Sequence, residues 1–382
     1  MYCEFLIKRI NEFYKKTIDV RKNGKHLVLG NYPSPSSIVL TSNDYLSIAN
    51  HPDILLAQTE EIKNDKNKVI MSAVFLHENS LKKTFECEMA DFMGYESTIL
   101  CQSGWAGNVG LMQSIAGENI PVYIDFLTHM SLWEGIKIAG AKAYPFLHNN
   151  SKHLEKLIKQ YGKGIVVVDS LYSVTGDICP LEQVIEIAEK YQCISVVDES
   201  HSIGTHGFMG SGLVKQLGLD KKVDFITLSL AKAFAGRAGL IACSERFAGY
   251  FPYISYPAIF SSSMLDHEIA GLRSTLKVIK EAENKRNIVS RNAQYLKESL
   301  VELGYKISSQ SHIISLESGT EERTEILRDE LEKRNIFGSV FCSPATPKNK
   351  AVIRLSINAN ITKEQIDYII ISCKEIKELG VM

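Results

Sequence analysis

Short apolar runs recur through the middle of the chain, at 98–101, 122–125, 165–169, 194–198, 225–229 and 240–243. Those at 165–168 and 194–197 are nearly all β-branched or apolar, as strands covered on both faces must be. Between them Leu181, Val184, Ile185, Ala188 and Tyr191 recur at helical spacing. Strands alternating with helices predict an α/β fold, a mostly parallel central sheet with helices on both faces. Ligands of such sheets bind at the carboxyl ends of the strands, and the polar residues of this chain collect there. From about 266 to 303 the pattern becomes one long helix. A strand at 313–316, a helix over 321–334 and a strand at 352–357 follow. The last helix opens with Thr362-x-x-Gln365, a capping-box pattern. The expected organisation is an N-terminal docking segment over 1–50, a large domain over 51–270 and a small α+β domain over 271–382.

Charge narrows the function classes. Lys and Arg number 43 against 44 Asp and Glu, a net charge of −1. That is no electrostatic footprint for nucleic acid. No window approaches 18 uninterrupted apolar residues, and no apolar stretch follows the charged first ten residues, so neither a membrane span nor secretion is expected. The eight cysteines are scattered without a C-x-x-C pair. Cys101, Cys193 and Cys243 lie in strand-like runs and read as buried, reduced thiols. The expected compartment is the cytoplasm, and no metal site is expected. A charge run at 63–68 reads as a solvated face.

The chemical signal centres on Asp198-Glu199-Ser200-His201, ending one strand, and Ser229-Leu230-Ala231-Lys232, ending the next. A carboxylate and a lysine at neighbouring strand mouths suit pyridoxal phosphate. The lysine bonds to the cofactor as an imine, and the acid keeps the pyridine nitrogen protonated. His201 can reach the ring hydroxyl, and Ser229 can donate to the phosphate. An ordinary ion pair is the alternative reading. Asp-Glu-x-His also resembles a helicase box, but that needs G-x-x-x-x-G-K-[ST] upstream. Gly24-Lys25 is followed by His26 and Gly162-Lys163 by Gly164, so it is excluded.

Upstream, Gln102-Ser103-Gly104-Trp105 closes a strand and leads into an apolar helix pattern, which suits a phosphate, or a plain tight turn. His129 stands where a ring can stack on a flat cofactor, though a lone histidine also packs or solvates. Gly204, Gly207, Gly210 and Gly212 read as a mobile turn and not a dinucleotide site. Arg354, between Ile353 and Leu355, needs a buried anion such as a substrate carboxylate, or else faces solvent at an edge.

Taken in order, these segments resemble the α-oxoamine synthase family of fold-type I pyridoxal-phosphate enzymes. The shared landmarks are Ser42-Asn43-Asp44-Tyr45-Leu46, Ser103-Gly104-Trp105, His129-x-Ser131-Leu132, Ser173-x-x-Gly176-Asp177-x-x-Pro180-Leu181, Val197-Asp198-Glu199-Ser200-His201, Ser229-x-x-Lys232, Phe260-Ser261-Ser262-Ser263 and Ile353-Arg354-Leu355. The resemblance implies that Lys232 is the Schiff-base lysine, Asp198 the partner of the pyridine nitrogen, His129 the stacking ring and His201 the partner of the ring hydroxyl. It places Ser103, Gly104, Trp105 and Ser229 on the phosphate side and Ser173 at the cofactor edge. Ser262 would reach the phosphate of a neighbouring subunit, which implies a homodimer. Asn43 and Arg354 would contact substrate.

Within that family the chain is most similar to the branch that makes α-hydroxyketone quorum-sensing autoinducers, through stretches such as Tyr123-Ile124-Asp125-Phe126 and Ile254-Ser255-Tyr256-Pro257-Ala258-Ile259-Phe260. The apolar segment 71–76 stands where the wider family has an arginine-bearing one, and Asp169 where the biotin-pathway branch has glutamate. The branch implies condensation of an acyl-CoA with an amine donor, S-adenosylmethionine or 2-aminobutyrate, followed by loss of CO₂. Segments 71–76 and 250–260 would line an acyl tunnel. An 8-amino-7-oxononanoate synthase-like enzyme or an aminotransferase on the same fold is the competing expectation.

Overall fold

The computed structural model describes residues 3–64, 71–76 and 80–380; positions 65–68 of the charge run lie outside them. In it the six apolar runs become six neighbouring strands of a seven-stranded sheet. Across the sheet the order is Ser97–Cys101, Gly239–Cys243, Phe225–Ser229, Ile194–Asp198, Ile165–Asp169, Val122–Asp125 and Ala143–Phe146. Gly239–Cys243 runs antiparallel to both neighbours and every other pairing is parallel. Alternate residues feed two cores, as the two-residue period of a strand requires. Val166, Val168, Val197 and Leu228 join one together with Leu181, Val184, Ile185 and Ala188 of helix Leu181–Lys190. Ile165, Val167, Val196 and Ile241 join the other, against helices Gly104–Ile115 and Met130–Ile138. Each fully buried Val, Leu or Ile among them contributes about 1.5–3 kcal/mol.

The long helix expected from 266 to 303 is two, Asp266–Glu281 and Glu283–Glu302, broken at Ala282. One straight helix could not serve two cores. Ile269, Leu272, Leu276 and Ile279 face the large sheet, whereas Ala293, Leu296 and Leu300 pack in a separate core. Arg286 secures the break by donating at 2.7 Å to the Ile279 carbonyl, which also accepts from Ala282 N at 3.1 Å. The separate core backs a three-stranded antiparallel sheet ordered Ser339–Phe341, Ala351–Ser356, Ile313–Gly319. Thr362 and Gln365 form the expected capping box of Lys363–Glu378.

The N-terminal segment stitches the cores together. Ile38–Val39 pairs in parallel with Ile336–Phe337, Ile38 and Leu40 enter the separate core, and Tyr45, Leu46 and Ile48 enter the large one. Among the described residues no helix is long and apolar enough to cross a membrane. Cys101, Cys193 and Cys243 are buried free thiols.

Candidate active site

Asp198 and Asp169 end adjacent parallel strands and stand opposite one another in register. Both are buried. Asp198 accepts from Asn108 Nδ2 at 2.8 Å and from Ser200 N at 2.9 Å. Among the described residues Asp169 accepts a single, longer contact, 3.3 Å, from the His129 backbone N–H. Burial, and then the neighbouring Asp198 charge, hold the Asp169 acid well above the usual carboxylate range. Lys232 lies three residues beyond the strand paired with that of Asp198. Burial lowers its ammonium pKa, with Asp198 and Asp169 acting against that and Arg354 adding to it. No hydrogen bond engages its amine among the described residues.

His129 caps helix Met130–Ile138 and bonds through Nδ1 to Ser131 Oγ at 2.7 Å. Crowding by neighbouring atoms lowers its pKa, although the residue keeps solvent access. Trp105 lies edge-on to it, ring centroids 6.2 Å apart. His201 is buried, and its Nδ1 meets the Tyr45 hydroxyl at 2.7 Å. Desolvation, then Lys232, Arg354 and the other histidines, keep His201 neutral far below its ordinary pKa. Tyr45 packs edge-on against buried His312 at 4.1 Å.

Ser103 caps helix Gly104–Ile115 by accepting from Ala106 N at 3.1 Å. A Cβ on Gly104 would fall 2.7 Å from the Cβ of Ser229, so glycine lets the helix N-terminus approach that strand end. Ser200 Oγ accepts from Ser229 N at 2.7 Å, tying the two strand mouths together. Ser262 is exposed, and its carbonyl takes Gln102 Nε2 at 2.9 Å.

Arg354 lies on the central strand of the three-stranded sheet and is buried, not at a solvent-facing edge. Its guanidinium donates to Ser173 O at 2.9 Å and to Asn43 Oδ1 at 2.8 Å and lies over the Phe341 ring. Nε has no partner, and no carboxylate pairs with it among the described residues. Ser173 belongs to a loop held from both sides. Ser311 Oγ donates to Gly176 O at 2.7 Å, while Asp177 is bonded to His148, which also contacts Asp125 at 3.0 Å. Burial works against the His148 cation, but the two carboxylates outweigh it and raise its pKa to about 9.

The glycine-rich loop is pinned, contrary to the expectation of a mobile turn. Gly204 N donates to Gly210 O at 2.7 Å and Gly212 N to His206 O at 2.8 Å. Buried Glu199 accepts from Leu213 N, Val214 N and Ser202 Oγ. All four glycines have φ between 78° and 97°, a region side chains rarely adopt.

Segments 71–76 and 250–263 meet. Ser72 and Ser262 form an antiparallel bridge, and Ser263 N donates to Met71 O at 2.8 Å. Beside them lies a small cavity of about 50 Å³ lined by Ala73, Val74, Phe251 and Pro257, with Lys82 and Gln102 on its polar side.

The sequence reading brings together Asp198, Lys232, His201, His129, Arg354, Asn43 and Ser173. It missed Asn108, the Tyr45–His201 bond, the Asp169–Asp198 pairing and His312. Helix Gly104–Ile115 also carries Gln113, so an amide in an apolar helix did not single out Asn108.

The aminotransferase class I and II model matches residues 35–372. The CAI-1 autoinducer synthase of Vibrio campbellii is 49% identical over 371 residues, 97% of this chain and 94% of that protein. The 8-amino-7-oxononanoate synthase of Coprothermobacter proteolyticus is 29% identical, covering 98% of this chain and 99% of that one. A serine palmitoyltransferase structure from S. paucimobilis superposes with a TM-score of 0.88 at 22% identity, covering 99% of this chain and 98% of the other, a likeness of fold. The chain belongs to the aminotransferase class I and II family, fold-type I enzymes that work with pyridoxal phosphate.

Proposed function

We propose that the protein condenses an acyl-CoA with an amino-acid-derived donor and releases CO₂, making an α-aminoketone or α-hydroxyketone of the quorum-sensing autoinducer type. The observation that carries the reading is an apolar cavity set against the turn that bears Ser103, Gly104 and Trp105, through Gln102 and Ala106. The cleft beside that turn holds a buried guanidinium that pairs with no carboxylate among the described residues. The similarity to the CAI-1 autoinducer synthase supports the same product class.

The residues fit pyridoxal phosphate. Gly104 leaves no room for a Cβ between the helix N-terminus and Ser229, so backbone N–H groups are presented to an anion there. Lys232 would hold the cofactor, Asp198 its ring nitrogen and His201 its ring hydroxyl, with His129 against its face. Ser103, Gly104, Trp105 and Ser229 would face the phosphate and Ser173 the edge. Ser262, exposed here, would reach the phosphate in the other subunit of a homodimer. When bound, pyridoxal phosphate supplies an electron sink for negative charge at the donor Cα. Asp198 keeps the proton on the ring nitrogen. Lys232, its pKa lowered by burial, is suited to carry a proton at Cα. Arg354 and Asn43 would orient the donor carboxylate, and the apolar residues around the cavity would meet part of the acyl chain. A cytoplasmic site of action belongs to the same reading.

The test supplies S-adenosylmethionine or 2-aminobutyrate with acyl-CoAs of increasing length and reads CoA release and product mass. Each buried methylene contributes about 0.8 kcal/mol, so four carbons correspond to about 3 kcal/mol, roughly a hundredfold in kcat/KM. We expect a steep rise from butanoyl- to decanoyl-CoA. A flat profile, or a preference for acetyl- or pimeloyl-CoA, would remove the protein from the autoinducer branch. Amine transfer without CoA release would make it an aminotransferase.

A further inference from the structure

One buried amide touches two parts of the cleft at once. Asn108, 2% exposed, donates from Nδ2 to Asp198 Oδ2 at 2.8 Å and to Ser131 Oγ at 2.8 Å. Both of its protons are thereby engaged, and Oδ1 is left buried without a partner among the described residues. Ser131, accepting from Asn108, has its own proton to give to His129 Nδ1 at 2.7 Å, and Ser131 N points at the same nitrogen from 3.4 Å. Nδ1 is therefore an acceptor, and the proton of neutral His129 sits on Nε2.

The other arm bears on a choice between two acids. Asp169 and Asp198 face each other across adjacent strands, where two full charges repel. Lys232 attracts both, and Asp125 adds a further negative charge near Asp169. Asp198 receives two short donors, from Asn108 and Ser200 N, whereas Asp169 receives one long one. Donors aimed at a carboxylate favour its charged form.

We propose that Asn108 is a positioning residue that selects Asp198 over Asp169 as the acid serving the cofactor nitrogen and fixes the His129 proton on Nε2. The proposal rests on the reading that this cleft holds pyridoxal phosphate.

The test compares purified holoenzymes carrying Asn108→Ala, Asn108→Asp, Ser131→Ala, Asp169→Asn and Asp198→Ala. Readouts are cofactor retention on dialysis, the pH dependence of the visible absorbance band, and the His129 tautomer by NMR of labelled histidine. A charge-assisted hydrogen bond is lost in both Asn108 variants, so cofactor affinity should fall by about tenfold or more and the midpoint of the band should move. Asn108→Asp matters most, because it keeps the volume and removes the amide donor. Ser131→Ala should redistribute the His129 proton with cofactor retention within about threefold of wild type, less than the loss of a full hydrogen bond. Asp169→Asn should leave affinity and band unchanged, since Asp169 serves no cofactor atom and the amide keeps its volume. Asn108→Asp with wild-type affinity and band would overturn the proposal, as would Asp169→Asn losing cofactor as fully as Asp198→Ala. Should Asn108→Ala fail to fold, Ser131→Ala still decides the histidine arm: an unmoved His129 proton would overturn it. If Asp198→Ala itself keeps cofactor and spectrum, the cleft assignment fails and not the role of Asn108 alone.

Discussion

Two polar clusters lie at the carboxyl edge of the same sheet, and they are finished differently. In the cluster of Asp125, His148 and Asp177, all four carboxylate oxygens are engaged. Asp125 takes Leu127 N, Asn149 N and His148, and Asp177 takes His148, Asn149 Nδ2 and Thr175. In the cluster of Asp198, Lys232 and Arg354, Nε of the guanidinium is orphaned and the lysine amine has no hydrogen bond among the described residues. Burying polar groups without partners costs free energy, so an orphaned guanidinium nitrogen near a lysine amine that makes no hydrogen bond asks for an explanation, and a bound ligand supplies one. The saturated cluster braces the Ser173 loop, and the unsaturated one is the place to look for chemistry.

Breaking the unsaturated cluster at Lys232 should have the largest effect. Lys232→Ala should lose about a thousandfold or more in turnover, with removal of both the covalent attachment point and a proton carrier. Borohydride should attach the cofactor to Lys232 in the wild type and to no residue in the variant, as peptide mass mapping would show. A reducible adduct persisting in Lys232→Ala would remove this residue from the site.

Arg354→Ala comes next. Loss of charge-assisted hydrogen bonds worth about 1.5–3 kcal/mol should raise KM for a carboxylate-bearing donor about 10- to 100-fold. The acyl-length profile should be unchanged. Equal damage to donor and acyl kinetics would mean that the guanidinium braces the fold, as the other cluster does.

The saturated cluster should answer to pH instead of substrate. The His148 pKa, about 9, is raised above the ordinary imidazole value by Asp125 and Asp177. Below about 6.5 the cation and its pairing are fully present, and the stabilisation is lost as pH rises through about 9. Urea unfolding should therefore show about 2 kcal/mol of stability disappearing between pH 6 and pH 10, and His148→Gln should flatten that slope. A wild-type curve already flat over this range would leave the ion pairing without energetic consequence.

The strands around these clusters were legible because burial on both faces leaves near-continuous apolar runs. Ala143–Phe146 was not, since it is an edge strand interrupted by Pro145 with only Phe146 buried. The break at Ala282 was hidden because helical spacing persists on both sides of it, and only the two cores reveal the change of direction. In the site, strand-end residues such as Asp198 and Lys232 could be read from spacing. Asn108 and Tyr45 could not, because their partners lie 90 and 156 residues away.

The sequence by itself determined the sheet, the strand mouths where chemistry gathers, and the acid–lysine pair, since each depends on local periodicity or short spacing. Tertiary structure alone decided that Arg354 is buried without a carboxylate among the described residues, that the glycine loop is pinned by Glu199, and that Asn108 reaches Asp198 and not Asp169. Those outcomes depend on which side chains are brought within hydrogen-bond reach after both cores close. A donor's direction and a charge's desolvation exist only once that packing is complete.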